Sequence, residues 1–164
     1  MAAPGLVPRL VAGWRAPVQT VRSLRDMGES GLMALLIGTL AMYFLAQWPA
    51  HAQAARIDPS IPLGARLGGA LMGTMFMMPL LVYALAGLTA LVAHAAGWRG
   101  TGRDARLALI WAMAMVMPLM LLAGMVQAVS GAGGPLTAVR AAAGLAFLGF
   151  WLVNLRALGH GAPP

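Results

Sequence analysis

Residues 107–129 read LALIWAMAMVMPLMLLAGMVQAV, twenty-three positions without a charge. At about 1.5 Å of rise per helical residue this run covers roughly 35 Å, enough to cross a hydrocarbon core of about 30 Å. The rest of the chain offers little polar material to surround it. Of the 164 residues 60% are hydrophobic and 9% charged, with a mean hydropathy of +0.80, whereas soluble domains carry about 25% charged residues. Lipid is therefore part of the solvent, and the fold class is an all-α integral membrane protein.

Three more stretches reach spanning length, near residues 31–48, 67–96 and 136–158. Their ends are marked by residues that continue poorly into lipid: Trp48-Pro49, Gly97-Trp98-Arg99, Ser130 through Pro135, and Gly159 onward. At roughly 45 Å the second stretch has to tilt, bend or protrude, and it is too short to cross twice. The expected architecture is a bundle of four transmembrane helices over 31–158, leaving a fifth span open, with a short tail at 159–164. The small residues Ala50-His51-Ala52 and Ala52-Gln53-Ala54 resemble a leader-cleavage site, but a basic lead of thirty residues is atypical of secretory signals, so 31–48 reads as a retained helix.

That lead, residues 1–30, is interrupted by Arg9, Arg15, Arg22 and Arg25. Leu6, Leu10 and Trp14 recur at i, i+4, i+8, and Val18, Val21 and Leu24 at i, i+3, i+6, on either side of Pro17, so each half carries an apolar stripe. Such helices lie in the membrane interface with their guanidinium groups toward anionic headgroups. Docking of the same stripes on the bundle is the open alternative.

All eleven basic residues are arginine, set against Asp26, Glu29, Asp58 and Asp104, for a net charge of +7. They flank apolar segments, where they anchor helices, so nucleic acid is not an expected partner. With a cytoplasmic N-terminus, that side receives Arg9, Arg15, Arg22, Arg25, Arg99, Arg103, Arg106 and Arg156; the far side receives Arg56, Arg66 and Arg140. This asymmetry favours both termini in the cytoplasm. Arginine without lysine, together with abundant Ala and Gly, points to a GC-rich bacterial genome and hence to the inner membrane.

Catalytic and ligand-holding groups are scarce. No acid lies deep in a span, which removes the usual coupling group of an ion-driven transporter. The absence of cysteine excludes disulfides and thiolate metal sites. Thirteen methionines invite a copper reading, but Met113, Met115 and Met117 alternate faces of a helix and read better as adaptable filler. His51, His94 and His160 are isolated. No phosphate loop, nucleophile elbow or acid pair appears, so neither an enzyme nor a cofactor is expected.

Helix faces carry more information. Gly69, Gly73, Phe76, Leu80, Tyr83, Gly87, Ala90 and His94 recur at alternating spacings of four and three, and Gly69 with Gly73 forms a GxxxG. Met113, Met117, Met120, Gly124 and Gln127 repeat the pattern in the third span, as do Arg140, Gly144, Phe147, Trp151 and Asn154 in the fourth. The expected packing face thus comprises Gly69, Gly73, Tyr83, Gly87, Gly124, Gly144 and Asn154, and contact within one chain is its preferred reading. Pro79 and Pro118 sit in mid-span and should each kink a helix.

The order of these features resembles small bacterial members of the Yip1 family. The resemblance rests on the lead Pro17-Val18-Gln19-Thr20-Val21-Arg22-Ser23-Leu24, the second-span run Pro79-Leu80-Leu81-Val82-Tyr83-Ala84-Leu85, and the entry Ala105-Arg106-Leu107-Ala108-Leu109-Ile110-Trp111-Ala112. Met117-Pro118-Leu119 and the closing Phe150-Trp151-Leu152-Val153-Asn154-Leu155-Arg156 complete it, from about residue 17 to 158. It implies a multi-spanning fold and a membrane address without an established activity. That family commonly has five spans, where four are counted here. Its eukaryotic members contact small GTPases through an acidic-aromatic segment that this chain lacks, so that role does not carry over. The functional expectation is a non-enzymatic protein acting through lateral helix contacts, within a larger membrane complex or a homo-oligomer. The alternative is a small channel or transporter lined by Tyr83, Thr74, Thr89, Gln127 and Asn154.

The arginine asymmetry makes a direct prediction. Reporter fusions after Leu158 and within residues 130–134 should read opposite sides of the membrane, the first cytoplasmic; a periplasmic C-terminus would refute the topology.

Overall fold

The computed structural model describes residues 5–159; the tail beyond Gly159, including His160, lies outside them. The lead forms two short helices, α1 (Leu6–Arg15) and α2 (Pro17–Ser23), with Pro17 opening the second, where its missing N–H costs nothing. Four helices long and apolar enough to cross a membrane follow. The first is α3 (Glu29–Ile57). The second consists of α4 (Leu63–Met72), a π-helical turn at Gly73–Met77, and α5 (Met78–Ala95). The third is divided into α6 (Gly102–Met115) and α7 (Met117–Ser130), and the fourth is α8 (Gly134–Gly159).

Both prolines deform their spans. Pro79 cannot donate to the preceding turn, and just ahead of it the Met78 N–H reaches back five residues to the Gly73 carbonyl, widening the helix into the π turn. Pro118 follows a break at Val116, whose ψ of −1° separates α6 from α7. Pro49 behaves differently. It lies inside α3, which runs on to Ile57 instead of ending at Trp48. The extension is held by α7: the Gln127 amide donates to the Gln53 carbonyl oxygen, and a Cβ at Gly124 would overlap the Ala46 carbonyl. Packing over that length offsets the one hydrogen bond that Pro49 removes.

The centre of the bundle is α6. Leu107, Ala108, Leu109, Ile110, Trp111, Ala112, Ala114 and Met115 are all buried, enclosed by α3, α5 and α8, with the lead alongside: the segment after α2 meets the start of α6 and the end of α1 meets its finish. Lipid is as apolar as these side chains, so the drive for assembly is close packing and hydrogen bonding rather than water exclusion. Asn154 of α8 is fully buried and donates to the Ala108 carbonyl at 3.2 Å. Helix α7 packs between α3 and α8, while α5 and α8 do not touch. The α5–α6 turn and the described end of the chain share one end of the bundle, with the Trp98 indole on the Leu155 carbonyl, whereas α1 lies beside the middle of α3 and the α6–α7 break.

At Gly124 α7 lies directly against the backbone of α3, and this fixes a prediction. Gly124→Leu should force the backbones apart and lower stability in detergent by about 2 kcal/mol, measured by thermal unfolding. Wild-type stability in this variant would mean that the crossing is loose.

Candidate functional site

The polar groups concentrate where the lead crosses the bundle. Thr101 caps α6: its hydroxyl accepts from the Asp104 N–H at 3.1 Å, and Asp104 Oδ2 accepts from the Thr101 N–H at 2.8 Å. Such a box satisfies orphan donors at a helix start. Asp104 is 4% exposed and also receives a two-pronged bond from Arg25, with Nε to Oδ1 and Nη2 to Oδ2 both at 3.0 Å. Arg103 donates to the Arg25 carbonyl, Arg106 pairs with Glu29, and the Arg106 guanidinium sits 5.3 Å from the centre of the Tyr83 ring. The result is a chain of paired charges across the lead, α3, α5 and α6.

Two of the lead arginines have partners within the chain. Arg25 is committed to Asp104, and Arg22 donates to the Ala157 carbonyl of α8 at 3.2 Å. A buried carboxylate and a C-terminal carbonyl thus each receive a guanidinium from the lead, while Arg22 stays exposed and the Arg25 side chain is 37% exposed. Arg9 and Arg15 have no side-chain partner among the described residues and remain at the surface. The lead itself docks on protein. Val21 and Leu24 are buried, Trp14 meets Phe150 edge-on at 5.1 Å, and Gly13 lies directly against the Met115 thioether. Sequence reading recorded Trp14 as one of an apolar stripe. Its decisive atom is polar: Nε1 donates to the Met115 carbonyl at 3.0 Å, at the break ahead of Pro118.

Trp98 was likewise read only as a span end. Its indole inserts over Gly159, whose absent side chain leaves the space, and donates to the Leu155 carbonyl at 2.7 Å. His94 contacts the Gly100 carbonyl at 2.6 Å. At the opposite end, Asp58 accepts from the Ser60 hydroxyl and pairs with Arg66 at 3.0 Å. The Ser60 hydrogen bonds, assisted by Arg66, hold its carboxyl below the usual carboxylate range.

The proposed packing face divides. Gly124 and Asn154 lie inside the bundle, and Tyr83 is half-buried beneath Arg106. Gly69, Gly73, Gly87 and Gly144 do not pack within the chain, since a Cβ at any of them would meet nothing within 4 Å. The preferred intramolecular reading of Gly69 and Gly73 is thereby overturned. The π turn inserts one extra residue, rotating α5 against α4, so that Val82, Ala86 and Ala90 face the core while Gly69, Gly73, Phe76 and Leu80 face outward.

Fold and surface define a multi-pass membrane protein with four apolar helices long enough to span. The chain has no significant match among protein-family models, curated proteins or solved structures. Its functional reading rests on its own geometry.

If Arg25 and Asp104 act as a unit, Asp104→Asn should cost about 2 kcal/mol in detergent unfolding, as expected for a charged hydrogen bond with one half-exposed partner. Adding Arg25→Gln should then cost little more. Arg9→Gln should stay within about 0.5 kcal/mol. Fully additive losses at Arg25 and Asp104 would show that the two are not coupled.

Proposed function

We propose that the protein is a non-enzymatic inner-membrane protein that works through lateral helix contacts, as an assembly factor, scaffold or accessory subunit, with both termini cytoplasmic. The observation that carries this reading is the outward face of α4 and α5. Gly69 and Gly73 leave a shallow groove that no atom of the chain fills, bordered by Met72, Phe76 and Leu80, which are 64%, 72% and 67% exposed. Small residues one turn apart let a second backbone approach closely, and packing of that kind is what holds helices together in lipid. The resemblance to the Yip1 family adds a multi-spanning fold and no activity.

The channel reading has weaker support, because most of the polar side chains that could line a path are engaged locally. Thr89 bonds back to the Leu85 carbonyl, Gln127 pairs with Gln53, and Asn154 is held by Ala108. Tyr83 lies under Arg106. These groups sit at separate points of the bundle, and the core between them is apolar.

The test is Gly69→Leu with Gly73→Leu. Because the added side chains meet nothing within the chain, the variant should unfold in detergent within about 0.5 kcal/mol of wild type. In native membranes it should lose the crosslinked oligomer or partner that wild type shows. A variant that is stable and fully associated would refute the reading, and so would a wild-type chain that crosslinks to nothing.

A further inference from the structure

Because α5 and α8 do not touch, a cleft of about 700 Å³ lies between them, with α3 and the α6–α7 break behind it. Its walls are almost wholly apolar: Leu81, Val82 and Leu85 from α5, Phe147 from α8, and Leu109 and Leu40 behind. Four methionines, Met78, Met113, Met117 and Met120, complete the lining. Unbranched thioether chains adapt to whatever lies against them. From Leu109 to Met120 the back wall extends roughly 16 Å at the helical rise, close to the half-thickness of a hydrocarbon core.

One part of the lining is polar. Arg140 of α8 belongs to it, together with Tyr43 and Gln47 of α3. Arg140 lies six residues after the start of α8, about 9 Å along the helix. From there an arginine reaches the headgroup level by extending its stem. Among the described residues it has no ion-pair or hydrogen-bond partner. A cleft with apolar walls one leaflet deep and a guanidinium at its headgroup end matches one class of ligand, an anionic phospholipid. Gly144 adds a separate indication. It lines the same cleft one turn deeper than Arg140, and a Cβ there would meet nothing within 4 Å, so the glycine keeps open space that any side chain would narrow.

We infer that this cleft binds an anionic phospholipid from the leaflet at the α7–α8 turn, with the phosphate on Arg140 and one acyl chain between α5 and α8 past Gly144. The site does not depend on the glycine face of α4, which points elsewhere.

The experiment uses the full chain, delipidated in a neutral detergent and titrated with phosphatidylglycerol or phosphatidylcholine, with bound lipid counted by native mass spectrometry. Wild type should retain one phosphatidylglycerol about fivefold more tightly than phosphatidylcholine, as expected for one basic residue at the headgroup. Arg140→Gln should abolish that preference, and Gly144→Leu should weaken retention of both lipids. Both variants should melt with delipidated wild type, since neither residue supports the fold. Arg9→Gln with Arg15→Gln should leave the preference intact. Retention unchanged in Arg140→Gln, or a preference lost with Arg9 and Arg15 instead, would overturn the site. Loss in Arg140→Gln with full retention in Gly144→Leu would overturn the placement of the acyl chain.

Discussion

Helix α6 carries the main run of buried side chains, and both of its ends are closed by side-chain hydrogen bonds. A buried peptide group without a partner in an apolar medium costs several kcal/mol, so each end has to be closed by a side chain. At its start, Thr101 and Asp104 cap each other, and the charge on Asp104 then needs a counterion, which Arg25 supplies. At its finish, the break before Pro118 exposes the Met115 carbonyl, and the indole of Trp14 closes it. Both donors come from the lead. Residues that precede every span in sequence thus complete the helix at the centre of the fold.

The position of the other helices follows from this clamp. With the lead reaching from the finish of α6 to its start, and α3 and α8 along its flanks, α5 packs against α6 through Val82, Ala86 and Ala90 and through Tyr83, which sits under Arg106. The π turn at Gly73–Met77 then lets α4 pack on α3 while α5 stays with α6. A straight helix would have to choose one partner. The same bend leaves α5 clear of α8, which creates the cleft, and turns the Gly69–Gly73 groove to the outside.

Span count and approximate limits were legible because charge-free runs of spanning length have no other stable environment. The errors share a cause, namely that local pattern says nothing about a distant partner. Arg25 at a span flank reads the same whether it meets a phosphate or a carboxylate 79 positions away. Pro49 looked like a helix end because nothing nearby revealed that Gln53 would be tied to Gln127. The glycine face of the second span shows a small-residue spacing, which does not say whether a helix of the same chain lies against it. One signal was available and not used: Thr101 and Asp104 stand at capping-box spacing just before the most hydrophobic run.

Glycine use separates what the fold needs from what it leaves over. At Gly13, Gly124 and Gly159 a side chain would overlap Met115, the Ala46 backbone or Trp98, so the chain itself explains each of these. Gly69, Gly73, Gly87 and Gly144 are different, because the space beside them is empty. In a helix interior glycine is less favourable than alanine by about 1 kcal/mol, and at these four positions no contact within the chain offsets that cost. A groove on α4 open to the bilayer suits a second helix backbone, whereas a glycine in the α5–α8 cleft near an unpaired arginine suits an acyl chain beneath an anionic headgroup. The two sets lie on different helices and make different demands on shape and charge, so the two proposals concern separate ligands.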